Sequence, residues 1–200
     1  LANGLRVLVL RTPQRETVDL SVFVHTGSQH EAARENGISH MVEHMAFKGT
    51  ASRDCQRINL DAESLGAQVN AHTDKDHSAF HMFGLARDTQ ALLQMLADIV
   101  QHGSFPADEL ERERQVILHE FTEDEDDPLS TAFKLFDQAC FGAHPVARSV
   151  ISTRRSIGGF TRDDVLAYVQ QRYTAANVVV GVAGPVDAQH VARQVEASFG

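Results

Sequence analysis

Residues 18–25 read Val18-Asp19-Leu20-Ser21-Val22-Phe23-Val24-His25, and residues 38–45 read Ile38-Ser39-His40-Met41-Val42-Glu43-His44-Met45. In the first stretch Val18, Leu20, Val22 and Val24 face one way and Asp19, Ser21, Phe23 and His25 the other, the period of two that marks a half-buried strand. In the second, Ile38, Met41, Val42 and Met45 stand at i, i+3, i+4 and i+7, which is one buried face of a helix. A chain that changes period this quickly mixes strands and helices in one layered domain.

Working outward, Leu5, Val7 and Val9 alternate with Arg6, Leu8 and Leu10 after an Asn3-Gly4 turn. The short polar connection through Pro13 predicts that this strand and the 18–25 strand are antiparallel neighbours. Residues 26–36 read as a polar loop. The helix from about 37 to 48 should stop at Gly49, and a second helix covers about 52–64. Residues 67–73 and 77–83 read as a hairpin turning through Thr73-Asp74-Lys75-Asp76. Asp88 is placed to cap a helix whose Leu92, Leu93, Leu96, Ile99 and Val100 form an apolar face.

A long helix follows Pro106, with Leu110, Ile117, Leu118 and Phe121 on its core side and the acidic run Glu123 to Asp127 at its end. Asp127-Pro128 is an N-cap followed by proline at N1, opening the helix that carries Phe133, Leu135 and Phe136. Thr161 and Asp164 form a capping box for a helix over 161–172. Residues 177–183 are a strand, and Asp187 opens a last helix. The expected class is α+β: a mainly antiparallel mixed sheet with helices, in a single domain over residues 1–200.

Composition excludes several functions. The net charge of −9 argues against a nucleic-acid partner, whose binders carry a basic face. No apolar run reaches the roughly 18–20 residues of a membrane-spanning helix. The two cysteines, Cys55 and Cys140, are distant in sequence and form no CxxC pair, so neither a disulfide framework nor a thiolate metal site is expected, and both read as buried small hydrophobes. That usage fits the cytoplasm, while a periplasmic location requires a signal peptide already removed. The chain opens inside a strand and stops at Gly200 after a helix-like run, so both ends read as cuts in a longer chain.

The chemistry concentrates in His40-Met41-Val42-Glu43-His44. Residues four apart on a helix share a face, so both imidazoles reach one cation. Zinc accepts imidazole nitrogen, and a hydrolytic zinc site takes three protein ligands and a water. Glu43, one residue before His44, is placed to take a proton from that water without being a ligand. The third ligand is open at this point. Glu113 and Glu120, seven apart, share a face of the long helix beside its apolar stripe, yet both also fit a solvated charged helix with Glu109, Glu111, Arg112 and Arg114.

H-x-x-E-H is the inverted zinc motif, and this chain resembles the pitrilysin/insulinase family of inverzincin metallopeptidases in its processing-peptidase-like, amino-terminal catalytic domain. Glu113-Arg114-Gln115-Val116-Ile117-Leu118-His119-Glu120 resembles that family's glutamate helix, and Glu120 lies 76 residues after His44. Gly66-Ala67-Gln68-Val69-Asn70-Ala71-His72-Thr73 resembles its substrate strand. Phe141 to Pro145 and Tyr173 to Asn177 resemble its later segments.

The resemblance implies helices packed on one face of the sheet, Zn2+ as cofactor, His40, His44 and Glu120 as its ligands, Glu43 as general base and Glu113 as a supporting carboxylate. It also implies that Asn70, Ala71, His72 and Thr73 bind peptide substrate along an edge strand. A second homologous domain or subunit, in a homodimer or heterodimer, would complete the chamber. The implied activity is a zinc-dependent endopeptidase for extended peptides. The alternatives are a catalytically silent core subunit of the same fold and an S-ribosylhomocysteine lyase type of enzyme, which needs a cysteine ligand that only Cys140 could supply.

Overall fold

A computed structural model describes residues 1–200. The strands are β1 (Arg6–Arg11), β2 (Thr17–Val24), β3 (Gln68–Thr73), β4 (Ser78–Leu85) and β5 (Val178–Gly184). The helices are α1 (Ile38–Ala46), α2 (Cys55–Ser64), α3 (Thr89–Gln101), α4 (Ala107–Asp126), α5 (Pro128–Phe141), α6 (Arg154–Gly159), α7 (Arg162–Arg172) and α8 (Ala188–Phe199).

One mixed sheet runs in the order β1-β5-β2-β4-β3, with β1 parallel to β5 and every other pair antiparallel. The expected β1–β2 pairing is therefore wrong, because β5 lies between them. The reason is visible in composition. β5 carries Val178, Val180 and Val182 on one face and Val179, Gly181 and Ala183 on the other, so it is apolar or small on both sides and suits a central position. β1, with Arg6 and Arg11 at its ends and Leu8 and Leu10 exposed, suits the edge. The 12–16 connection crosses over β5, and Thr12 N–H donates to the Gly184 carbonyl on the way (2.8 Å).

The inward rows Val18, Leu20, Val22 and Val24 of β2, Phe80 and Met82 of β4 and Val178, Val180 and Val182 of β5 pack against α2, α3 and α8. The other face of the sheet leaves Leu8, Phe23 and Phe83 exposed, so these helices lie on one face as the class requires. A second core joins α1, α4, α6 and α7 through Ile38, Met41, Val42, Met45, Leu110, Ile117, Ile157 and Val165. Each such side chain contributes about 1.5–3 kcal/mol when fully buried, which makes α1 a rigid platform.

Several local expectations need correction. The second helix starts at Cys55 and not 52, because Asp54 caps it by accepting from Arg57 N–H (2.7 Å). Asp88 makes no capping bond. The Thr89 hydroxyl donates instead to the Ala86 carbonyl (2.6 Å). Neither cysteine is buried: Cys55 is the first residue of its helix and Cys140 lies on α5, none of whose side chains is buried. The caps at Asp127, Thr161–Asp164 and Asp187 form as read.

Candidate metal centre

The helix that carries the motif is pinned at its start. Gly37 sits at φ +95°, a conformation that glycine adopts without strain. A Cβ there would stand 2.6 Å from Ser152 Cβ, so no larger residue fits. The first turn of α1 has no capping side chain from its own N-cap. Buried Glu31 takes that role from six residues upstream. Its Oε2 accepts from Gly37 N–H (2.7 Å) and Asn36 Nδ2 (2.9 Å), and its Oε1 accepts from Ser39 N–H (2.9 Å). These orphan donors of a helix start thus meet an anion where the helix dipole favours one. The Tyr168 hydroxyl, 2.7 Å from both Ser39 Oγ and Thr26 Oγ1, ties the same turn to α7 and to the end of β2.

With Met41, Val42 and Met45 held in the second core, His40 and His44 project from the opposite side of α1 toward α4. Their Nε2 atoms are 3.2 Å apart. Glu120 Oε2 lies 3.3 Å from His44 Nε2 and 3.7 Å from His40 Nε2. One donor atom from each residue lies within 4.8 Å of the others. Tetrahedral ligands at about 2.0–2.1 Å from zinc stand roughly 3.3 Å apart, so this donor set fits the ion. Burial, and then the neighbouring His44, push His40 down to about 4. Its imidazole is therefore neutral at pH 7, with a lone pair to donate. Its Nδ1 is buried without a partner.

Glu113 is brought to the same place but in a different position. Its Oε2 is 3.0 Å from His44 Nδ1, on the far side of the ring from Glu120, and its Oε1 is 2.7 Å from Lys48 Nζ. Burial alone would raise this carboxyl, but hydrogen bonds from Lys48 and His44 outweigh it and hold the group below the usual glutamate range. Lys48 was not singled out from sequence; it lies just past the end of α1, four residues after His44. Glu31 and Tyr168 were also missed, and no local pattern marks them.

Glu43 is half-buried, and burial raises its carboxyl above the ordinary value against the opposing pull of Thr73, His44 and His72. Thr73 belongs to β3, the edge strand of the sheet, whose hairpin partner is β4. The Thr73 hydroxyl reaches the Ser39 carbonyl at 3.5 Å, so the strand edge runs beside α1. The side chains of Asn70, Ala71, His72 and Thr73 do not form one cluster: they alternate between the two faces, Asn70 and His72 exposed, Ala71 and Thr73 half-buried. What they share is a backbone edge. Asn70 Oδ1 accepts from Ala71 N–H (2.8 Å), which leaves that donor lightly capped by a local contact.

The sequence pattern of the insulinase family, peptidase family M16, matches residues 6–154, and that of the M16 inactive domain matches residues 159–200. The chain is 31% identical over 199 residues to an uncharacterized zinc protease of Rickettsia felis, covering all of this chain and 48% of that protein. It is 32% identical over 199 residues to the mitochondrial-processing peptidase subunit beta of Lentinula edodes, covering 100% of this chain and 43% of the other. The solved structure of a protease from Helicobacter pylori superposes with a TM-score of 0.94 at 24% identity, over all of this chain and 48% of that one, a likeness of fold. The chain spans about half the length of these relatives.

Proposed function

The chain belongs to the insulinase family of peptidases, M16, and on that premise we propose that it is the catalytic half of a zinc-dependent endopeptidase acting on extended peptides. One observation carries the reading: His40, His44 and Glu120 converge within bonding range of a single ion, with Glu43 next in sequence and a free strand edge alongside. A catalytically silent subunit of the same fold has no use for that convergence.

His40, His44 and Glu120 would hold the zinc. When bound, zinc supplies Lewis acidity, polarising a carbonyl and making a water acidic near neutral pH. Glu43 accepts the proton of the attacking water and passes it to the leaving amine, and the elevated proton affinity that burial gives it suits both halves of that task. His44 donates Nδ1–H to Glu113, which keeps its Nε2 lone pair turned toward the site. Lys48 holds Glu113 in place. The β3 edge adds the substrate as a further strand, so backbone hydrogen bonds supply affinity and side chains vary freely. That mode accepts short or unfolded peptides and rejects folded proteins. The greater length of the relatives supports a second homologous domain that closes over the substrate.

Metal analysis combined with a peptide-cleavage assay on the full-length protein tests the proposal. The expected result is bound zinc and chelator-sensitive cleavage of extended peptides. Zinc-loaded protein that cleaves none of a diverse peptide library would overturn it.

A further inference from the structure

The side chain of Thr73 does not lie on the free edge of β3. In a strand, side chains stand out of the sheet, while the edge presents only backbone N–H and C=O groups. Thr73 pairs directly with Ser78 across the β3–β4 hairpin. Its half-buried side chain shares a face with Val69 and Ala71, the face that carries the helices, and α1 packs against this strand. The Thr73 hydroxyl lies 3.5 Å from the Ser39 carbonyl and 3.3 Å from Ser78 Oγ. Ser39 is four residues before Glu43, so the two share one side of α1. Helical side chains lean toward the N-terminus, which brings the Glu43 carboxylate back over the turn of Ser39. The Thr73 hydroxyl sits against that same turn. Burial raises the Glu43 carboxyl, and Thr73 heads the groups that pull it the other way.

The neutral groups around the Thr73 hydroxyl hold its proton weakly. Both contacts are longer than the roughly 2.7–2.8 Å of a good O–H···O bond. Ser78 is better served elsewhere, since it donates to the Thr26 carbonyl at 3.1 Å. The Ser39 carbonyl also faces the backbone N–H of Glu43, as the i to i+4 pattern of a helix requires. A carboxylate is the stronger acceptor, by about a factor of two over a neutral oxygen. The frame around Thr73 is rigid. Thr26, Ser39 and Ser78 are buried, and the Tyr168 hydroxyl links the side chains of the first two. Threonine itself is β-branched and stiff at χ1, so its hydroxyl is held where the frame puts it.

We propose that Thr73 is a positioning residue: its hydroxyl donates to the Glu43 carboxylate and holds it in the rotamer that faces His40, His44 and Glu120. One carboxylate oxygen is then fixed, and the other is left to accept the proton of the attacking water. The assignment rests on the peptidase reading of Glu43. It separates the side chain of Thr73 from peptide binding, which falls to the backbone of the same strand.

Steady-state kinetics of the full-length protein on a cleaved peptide test this. Thr73→Val keeps the shape and loses the hydroxyl, whereas Thr73→Ser keeps the hydroxyl. Thr73→Val should lower kcat by about 10–100-fold, the range for loss of a supporting hydrogen bond, with KM and bound zinc at wild-type values. Thr73→Ser should recover most of that loss. An unchanged kcat in Thr73→Val, or a rise in KM alone, overturns the assignment. A crystal structure of the zinc-loaded wild type needs neither substitution nor turnover. It should place Thr73 Oγ1 about 2.5–3.0 Å from a Glu43 carboxylate oxygen. A Glu43 side chain turned away from Thr73 also overturns the assignment. Zinc-loaded wild type that cleaves no peptide removes the peptidase reading and this role with it, while an active peptidase indifferent to Thr73→Val removes this role alone.

Discussion

The imidazole of His44 stands between two carboxylates of one helix, with Glu113 Oε2 3.0 Å from Nδ1 and Glu120 Oε2 3.3 Å from Nε2. The seven-residue spacing on α4 puts both acids on one face, and the ring of His44 fills the gap between them. The two nitrogens of a histidine cannot share a role in a metal site. One takes the ion and the other takes the hydrogen bond that fixes the ring.

The first prediction separates the two glutamates. Glu120→Gln replaces an anionic donor by a neutral amide and should weaken zinc binding severely. Glu113→Gln removes the support behind His44 and should weaken zinc by roughly 10–100-fold, with activity falling alongside. Zinc titrations of the two variants side by side decide the matter. Equal affinities, or a larger loss in Glu113→Gln, would mean that the ligand has been misassigned.

His40 and His44 carry the second. His40→Ala or His44→Ala removes one of three converging donors and should each strip the protein of this zinc under purification conditions. Inductively coupled plasma analysis reads the outcome, and undiminished zinc at this site in both variants contradicts the assignment.

For Glu43 the expected separation is between binding and turnover. Glu43→Gln keeps shape and volume but cannot accept a proton, so zinc content should stay at the wild-type level while kcat falls by several orders of magnitude. Near-normal turnover in a zinc-loaded Glu43→Gln protein would falsify the general-base role.

Glu31 tests the foundation of the site and not its chemistry. Glu31→Ala leaves Gly37 N–H, Ser39 N–H and the Asn36 amide without their acceptor in a buried turn, at an expected cost of about 2–4 kcal/mol. Chemical denaturation should show this loss, and Glu31→Gln, which retains one acceptor oxygen, should lose less. A change within about 0.5 kcal/mol, as at an ordinary surface site, would mean that water replaces the carboxylate.

Much of the architecture was legible in the chain itself. β2 and α1 were readable because periods of two and 3.6 are local properties, written in consecutive side chains. The caps at Asp127, Thr161–Asp164 and Asp187 were readable for the same reason: a capping bond spans two or three residues. The juxtaposition of His40, Glu43 and His44 follows from helix geometry alone. The family resemblance, carried by these residues and by Glu113 to Glu120, supplied the one long-range pairing, between α1 and α4, that periodicity does not contain.

The sequence by itself determined most of the strand and helix segments, the facing histidines and the class of chemistry proposed for them. Tertiary structure alone decided the placement of β5 between β1 and β2, since strand order depends on which face-pairs bury together and not on adjacency in the chain. It alone showed Glu31 as the cap of α1, Lys48 as the partner of Glu113, and both cysteines outside the core. These contacts join residues on separate elements or depend on how an element is packed. No repeat of two or 3.6 residues encodes a distance between elements, because that distance is set only when their apolar faces are pressed together.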